Sequence, residues 1–117
     1  MFISLYFYRI PKNQIDEFIR IQKKSAEIYR KYGAVDDWTF GAEDLTSKYG
    51  CDSFLNSIRI EPTESLFLSL SQFVSREEHD RVMALVDCDP EIANLFEEAC
   101  IVMDISRVIR GEFNRLV

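Results

Sequence analysis

The sequence predicts an α+β domain, one antiparallel sheet with its helices on one side, built in the order β-α-β-β-α-β. Three observations predict it. Two stretches, "FISLYFYR" from Phe2 and "ESLFLSLSQF" from Glu64, alternate in side-chain type with period two. Residues 13–32 place apolar side chains at helical spacing. A second helix opens at Ser75 with the capping box S-x-x-E, completed by Glu78.

The first strand is expected over Phe2–Arg9, with Ile3, Leu5 and Phe7 on one side and Phe2, Ser4, Tyr6 and Tyr8 on the other. Pro11 ends it, having no N–H for the ladder. The first helix is expected over Asn13–Tyr32, with Asn13 as N-cap and Asp16 and Glu17 at the positive end of the helix dipole. Ile15, Phe18, Ile19, Ala26 and Tyr29 form its main apolar stripe, and Ile21, Ile28 and Tyr32 a second, so the helix touches more than one neighbour. Gly33 suits the left-handed position that closes it.

The second strand is "VDDWTFG", Val35–Gly41, with Trp38 and Phe40 beside Asp36 and with Val35, Asp37 and Thr39 opposite. Its charges mark an edge strand. Residues 42–53 are rich in turn formers, and a short extended piece is expected over Phe54–Glu61. The leucine strand follows, then the second helix over Ser75–Val86, with Val82, Met83 and Val86 inward. Asp89 as N-cap and Pro90 at the first helical position start a short extra helix. The last strand is expected over Ile101–Gly111.

This is the ferredoxin-like split βαβ pattern, expected to form a single domain over residues 1–117. The helices are expected to cover Ile3, Leu5, Phe7 and the leucines of the third strand, so the other side holds Tyr6, Tyr8, Phe67, Ser69 and Ser71, with Trp38 or Thr39. That side carries almost no charge, and a monomer rarely exposes so large an apolar patch. The expectation is therefore a homodimer packed sheet on sheet.

Composition narrows the classes. Of the 117 residues 47% are hydrophobic and 29% charged, which is globular. The formal net charge is −6, from 14 basic and 20 acidic residues, which argues against a nucleic-acid partner. No apolar run approaches the ~20 residues a membrane helix needs, so no membrane partner is expected. "MFISLYFYRIPK" lacks the basic start and cleavage site of a signal peptide. Cys51, Cys88 and Cys100 are odd in number and widely spaced, which reads as free thiols in a reducing cytoplasm. A zinc site would need His79, the one histidine, and lacks paired ligand spacing, so no metal is expected. No cofactor is expected either.

The chain resembles the dimeric α/β-barrel superfamily and, within it, the small stand-alone YbaA-like bacterial family. The carriers are "YRIPKNQIDEF", "YGAVDDWTFGAEDL", "SFLNSIRIEPTESLFLSLSQFVSREEHDRVMALVDCDPEI" and "MDISRVIRGEF", which together cover nearly the whole length. The resemblance implies face-to-face dimers whose sheets close into a barrel. Relatives in the superfamily include cofactor-independent monooxygenases, haem-degrading oxygenases and small-molecule binders. Haem-degrading members place an Asn on the first strand, a Trp on the third and a His on the second helix. Here His79 fits, but Ser4 and Tyr6 stand for the Asn and Phe67 for the Trp, so the pattern departs from haem chemistry.

Two sets of candidate residues follow. His79, on the apolar side of the second helix, is the candidate general base, because its ordinary pKa lies near neutrality. The bland alternative is a partly buried structural histidine. Tyr6, Tyr8, Trp38, Phe67, Ser69 and Ser71 are candidate ligand-binding residues, since small-molecule pockets combine aromatic walls with a few polar groups. The bland alternative is a plain dimer interface. Asp36, Asp37, Glu43 and Asp44 read as a solvated acidic edge, Arg107 and Arg110 as carboxylate partners, and Cys51 as an inert exposed thiol.

The leading functional expectation is a cytoplasmic homodimer binding a small apolar or aromatic molecule, in a cavity between sheet and helices or along the dimer seam. The alternatives are a cofactor-independent monooxygenase or isomerase acting on an aromatic or quinone-like substrate, and a structural or regulatory dimer without a ligand.

Overall fold

A computed structural model describes residues 1–117. The chain runs β1 (Phe2–Pro11), α1 (Ile15–Tyr32), β2 (Asp36–Gly41), β3 (Glu64–Phe73), α2 (Arg76–Asp87), α3 (Pro90–Val102) and β4 (Ile109–Asn114). The four strands form one antiparallel sheet in the order β2-β3-β1-β4. With three helices on one side, this is the α+β ferredoxin-like fold.

The side the helices cover is the reverse of the expectation. They pack on the face holding Phe2, Ser4, Tyr6, Tyr8 and Ile10 of β1 and Phe67, Ser69, Ser71 and Phe73 of β3. Phe2 pairs with Phe73 across the strands and Tyr8 with Phe67, while Ser4 faces Ser71 and Tyr6 faces Ser69 between them. Large rings at both ends thus meet the helices, and small polar residues occupy the middle. Phe18 of α1, fully buried, contacts the rings of Tyr8 and Phe67 at 5.2 and 5.0 Å between centroids. Phe73, Val82 and Val86 are buried in the same cluster. Alternation identifies two sides but cannot say which one the helices choose. The ring-to-ring fit of Phe18 with Tyr8 and Phe67 chooses it.

The leucine side is consequently the open one. Cross-strand rows there read Trp38, Leu70, Leu5, Gly111 and Phe40, Leu68, Phe7, Ile109. Trp38 is 43% exposed, Phe40 48% and Phe113 54%. Part of one end is covered by the chain itself, where Phe54 packs on Phe7 at 5.5 Å between centroids.

Several boundaries also differ. β1 runs to Pro11, whose missing N–H costs nothing in the last pair of the ladder. A 3-10 turn at Lys12–Gln14 precedes α1, so Asn13 does not cap it, and no side chain does. Ile21 and Ile28, from the narrower stripe, are buried, whereas Ile19 is largely exposed, because α1 packs on α2 and α3 as well as on the sheet. Gly33 closes α1 with φ at +120°. The piece expected to be extended is a 3-10 turn, Phe54–Asn56, capped by the Ser53 hydroxyl, which accepts from the Leu55 N–H at 3.0 Å.

The capping expectation at Asp89 matches the geometry, and that at Ser75 holds in half, because the Glu78 side chain pairs with Arg81 instead of returning to the Ser75 N–H. The Ser75 hydroxyl accepts from the Glu78 N–H and the Asp89 carboxylate from the Glu91 N–H. The helix that Asp89 starts is longer than expected. Ile92, Leu95, Ala99 and Val102 continue the helical spacing, so Ile101 and Val102 belong to α3. Asp104 then caps a 3-10 turn at Ile105–Arg107, and the last strand begins only at Ile109.

Candidate functional site

Register places the polar residues of the helix-covered face in two bands across all four strands. One reads Asp37, Ser71, Ser4, Glu112, and the other Thr39, Ser69, Tyr6, Arg110. The serines are too short to reach the helices, and a cavity of about 460 Å³ remains above them. Small-molecule pockets commonly span roughly 300–1,000 Å³. Its floor carries Tyr6, Tyr8, Asp37, Ser69 and Ser71. Ile21, Gln22, Ser25 and Tyr29 of α1 form one wall, and Ile92, Leu95, Phe96 and Ala99 of α3 the other. Phe96 and Ile105, both exposed, flank the mouth.

The Tyr6 and Tyr8 rings stack at 6.0 Å between centroids and 11° between planes. Burial pushes the Tyr8 phenol up to about 12, against a smaller opposing effect from a hydrogen bond with Ser69. Burial likewise raises the Tyr29 phenol, so both hydroxyls keep their protons at neutral pH. Asp37 accepts a hydrogen bond from the Ser71 hydroxyl at Oδ2. Burial holds its carboxyl above the usual range, and the Ser71 hydrogen bond and the charge of Arg30 only partly offset this.

Of the expected site residues, the structure brings Tyr6, Tyr8, Ser69 and Ser71 together in the cavity and separates the others from it. Trp38 stands on the open face, because it is out of phase with Asp37 and Thr39 in β2. Phe67 shares the helix side but packs on Phe18 outside the cavity. His79 also lies outside, buried against Phe2 and Phe73 at 4.9 Å between ring centroids in each case. Its Nδ1 is 2.9 Å from Asp80 and its Nε2 is 3.4 Å from Glu112.

The other candidates find partners within the chain. Arg107 forms a two-pronged ion pair with Glu64, and Arg110 pairs with Glu112 at 3.1 Å while lying over the Tyr6 ring. Asp44 pairs with Lys48, and Asp36 with Arg30 at 3.6 Å. Cys51, Cys88 and Cys100 are free and exposed. No group of three or more His, Cys, Asp or Glu residues comes together to hold a metal ion.

The cavity residue that the sequence assigned elsewhere is Asp37. It belongs to the cavity floor and not to a solvated edge. Its shared side with Thr39 was legible in the alternation, but its position beside Ser71 required the β2–β3 register.

Among solved structures, a NIPSNAP domain protein from Burkholderia xenovorans is similar at 12% identity, covering 99% of this chain and 95% of that one, with a TM-score of 0.63. A nipsnap family protein from Agrobacterium tumefaciens is 16% identical over 98% of this chain and 87% of its own, with a TM-score of 0.60. A structure described as an antibiotic biosynthesis monooxygenase is 11% identical, with full coverage of both chains and a TM-score of 0.63. At these identities the likeness shows the fold alone. No curated protein sequence matches. The pattern of the family described as "Protein of unknown function (DUF1428)" matches residues 1–104, which include all of the cavity lining except Ile105 and Val108, and the chain therefore belongs to that family.

Proposed function

We propose that this chain, acting as one domain over residues 1–117 and standing with the YbaA-like proteins it resembles, is a cytoplasmic homodimer that binds a small, largely apolar or aromatic molecule. The observation that carries the reading is the cavity between sheet and helices, apolar on its α3 wall and furnished with hydroxyls on its floor. It belongs to the single chain, and so does not depend on where a second copy docks. Ser69→Phe places a ring in the cavity from a strand residue that is already buried. The variant is expected to fold and to lose any small molecule that co-purifies with the parent, as read by mass spectrometry of the denatured extract. Retention of the same molecule by a folded variant sinks the cavity as the binding place.

The homodimer is supported by the open face, where Trp38, Phe40, Leu68, Leu70 and Phe113 form one apolar surface. The tyrosine-and-serine side cannot serve, because the chain's own helices cover it. Light scattering of the parent and of Leu68→Lys tests the pairing: the parent is expected at twice the chain mass and the variant at the chain mass. A monomeric parent overturns it. Free, exposed thiols at Cys51, Cys88 and Cys100 support a reducing compartment.

A second reading, a cofactor-independent monooxygenase or isomerase for an aromatic or quinone-like substrate, is favoured by one observation. Tyr6, Tyr8, Tyr29 and Asp37 bring proton-exchanging groups into one cavity. The structure described as an antibiotic biosynthesis monooxygenase lends the fold and nothing nearer. The ligand-free structural dimer loses ground, since a cavity lies above the tyrosines.

A further inference from the structure

The cavity is asymmetric in charge. Asp37 and Asp87 line it, and no Lys, Arg or His does. Asp37 is held firmly from below. Its backbone N–H donates to its neighbour Asp36 at 2.9 Å, and Oδ2 accepts from Ser71. Oδ1 makes no hydrogen bond within the protein and is not fully buried. A carboxylate with one oxygen engaged and one free is an acceptor awaiting a donor. Arg30 pairs with Asp36 and donates to the Asp37 backbone carbonyl at 3.5 Å, and it lies outside the cavity. Beyond Asp37, the α3 wall of Ile92, Leu95, Phe96 and Ala99 offers only apolar contact.

We propose that Asp37 is the specificity-determining acceptor of this cavity: it selects a ligand carrying a hydrogen-bond-donating hydroxyl or ammonium head on an apolar body, and it turns away anions. The proposal rests on the cavity being a binding site. The donor head meets Oδ1, and the body lies along α3. A carboxylate or phosphate head in the same place meets the Asp37 charge with no cation inside the cavity, Arg30 offsetting that charge only in part from outside it, so it is disfavoured by charge as well as by the lack of a donor. A donor from the ligand also relieves the cost of keeping Asp37 ionised under the helices, since hydrogen bonds to the charged form favour that form.

The test is a matched set of probes: naphthalene, a naphthol, naphthylmethylamine and a naphthoate, titrated by calorimetry into the parent and into Asp37→Asn. In the parent, the naphthol and the amine are expected to bind at least about tenfold more tightly than naphthalene, the range of a hydrogen bond to a charged acceptor, with the naphthoate weakest. In Asp37→Asn that advantage is expected to shrink to that of a neutral hydrogen bond, and the naphthoate to gain. Asp37→Thr, a good strand former of similar size, is the companion variant and is expected to behave in the same way. If the naphthoate binds the parent as well as the naphthol does, or if the advantage of the naphthol and the amine survives both substitutions undiminished, the role of Asp37 is overturned while the cavity stands. If none of the four probes binds the folded parent, the cavity itself is overturned as a binding site, and the role of Asp37 falls with it.

Discussion

Replacing Ser71 by Ala removes one hydroxyl that is 2% exposed and donates to the Asp37 carboxylate. Alanine fits the strand without a clash, so the loss is that of the hydrogen bond. A bond to a charged acceptor is worth about 1.5–3 kcal/mol, and one between neutral partners about 0.5–1.5 kcal/mol. The substitution is therefore expected to cost about 2 kcal/mol at neutral pH in the parent. In an Asp37→Asn background it costs about 1 kcal/mol or less. Urea unfolding of the parent, both single variants and the double variant closes the cycle.

The pH dependence has a definite sign. Burial raises the Asp37 carboxyl in the folded chain above its unfolded value, so ionised Asp37 is a cost to folding. That cost is absent below the unfolded pKa, grows as the pH rises from there toward the folded one, and is constant above it. Asp37→Asn is thus expected to stabilise the protein at neutral pH, with an advantage that shrinks toward pH about 3, where the carboxyl is protonated in both states. Over the same interval the cost of Ser71→Ala falls to that of a neutral bond. Equal costs of Ser71→Ala in both backgrounds and at both pH values would refute the pairing of Ser71 with a desolvated carboxylate.

Three further outcomes are expected. Phe73→Ala, at a fully buried ring, costs about 3–5 kcal/mol in denaturant unfolding. His79→Ala lowers stability by about 1–3 kcal/mol through lost packing on Phe2 and Phe73, and leaves probe affinity unchanged because His79 lies outside the cavity; a large loss of affinity with the fold intact would return His79 to the site. Gly33→Ala costs about 1–3 kcal/mol, because φ is +120° there and the added Cβ meets Arg81 Nη2 at 2.6 Å, which must then leave the Tyr32 carbonyl and Glu78.

Much of the fold was legible because local rules act on neighbouring residues. Ser75 and Asp89 announce helix starts through hydrogen bonds to residues two or three positions on. Gly33 announces a helix end through a backbone angle that other residues resist. The alternation in "ESLFLSLSQF" separates Leu66, Leu68 and Leu70 from Phe67, Ser69 and Ser71 without knowledge of any partner. Local rules failed where two patterns overlapped. The residues from Met103 to Ile109 alternate like a strand, but the helix begun at Asp89 consumes the residues before them and Asp104 folds the next three into a turn.

The sequence by itself determined the strands, the capped helices and the apolar character of both sides of the sheet. It could not decide which side the helices cover, because both sides are apolar enough to be buried. Only the tertiary structure decided that. Phe18 fits between Tyr8 and Phe67, while Phe2 and Phe73 close the other end around His79. The serines between these rings leave the cavity, and the β2–β3 register brings Asp37 to its floor. These are contacts between residues tens of positions apart, and a period-two pattern carries no information about them.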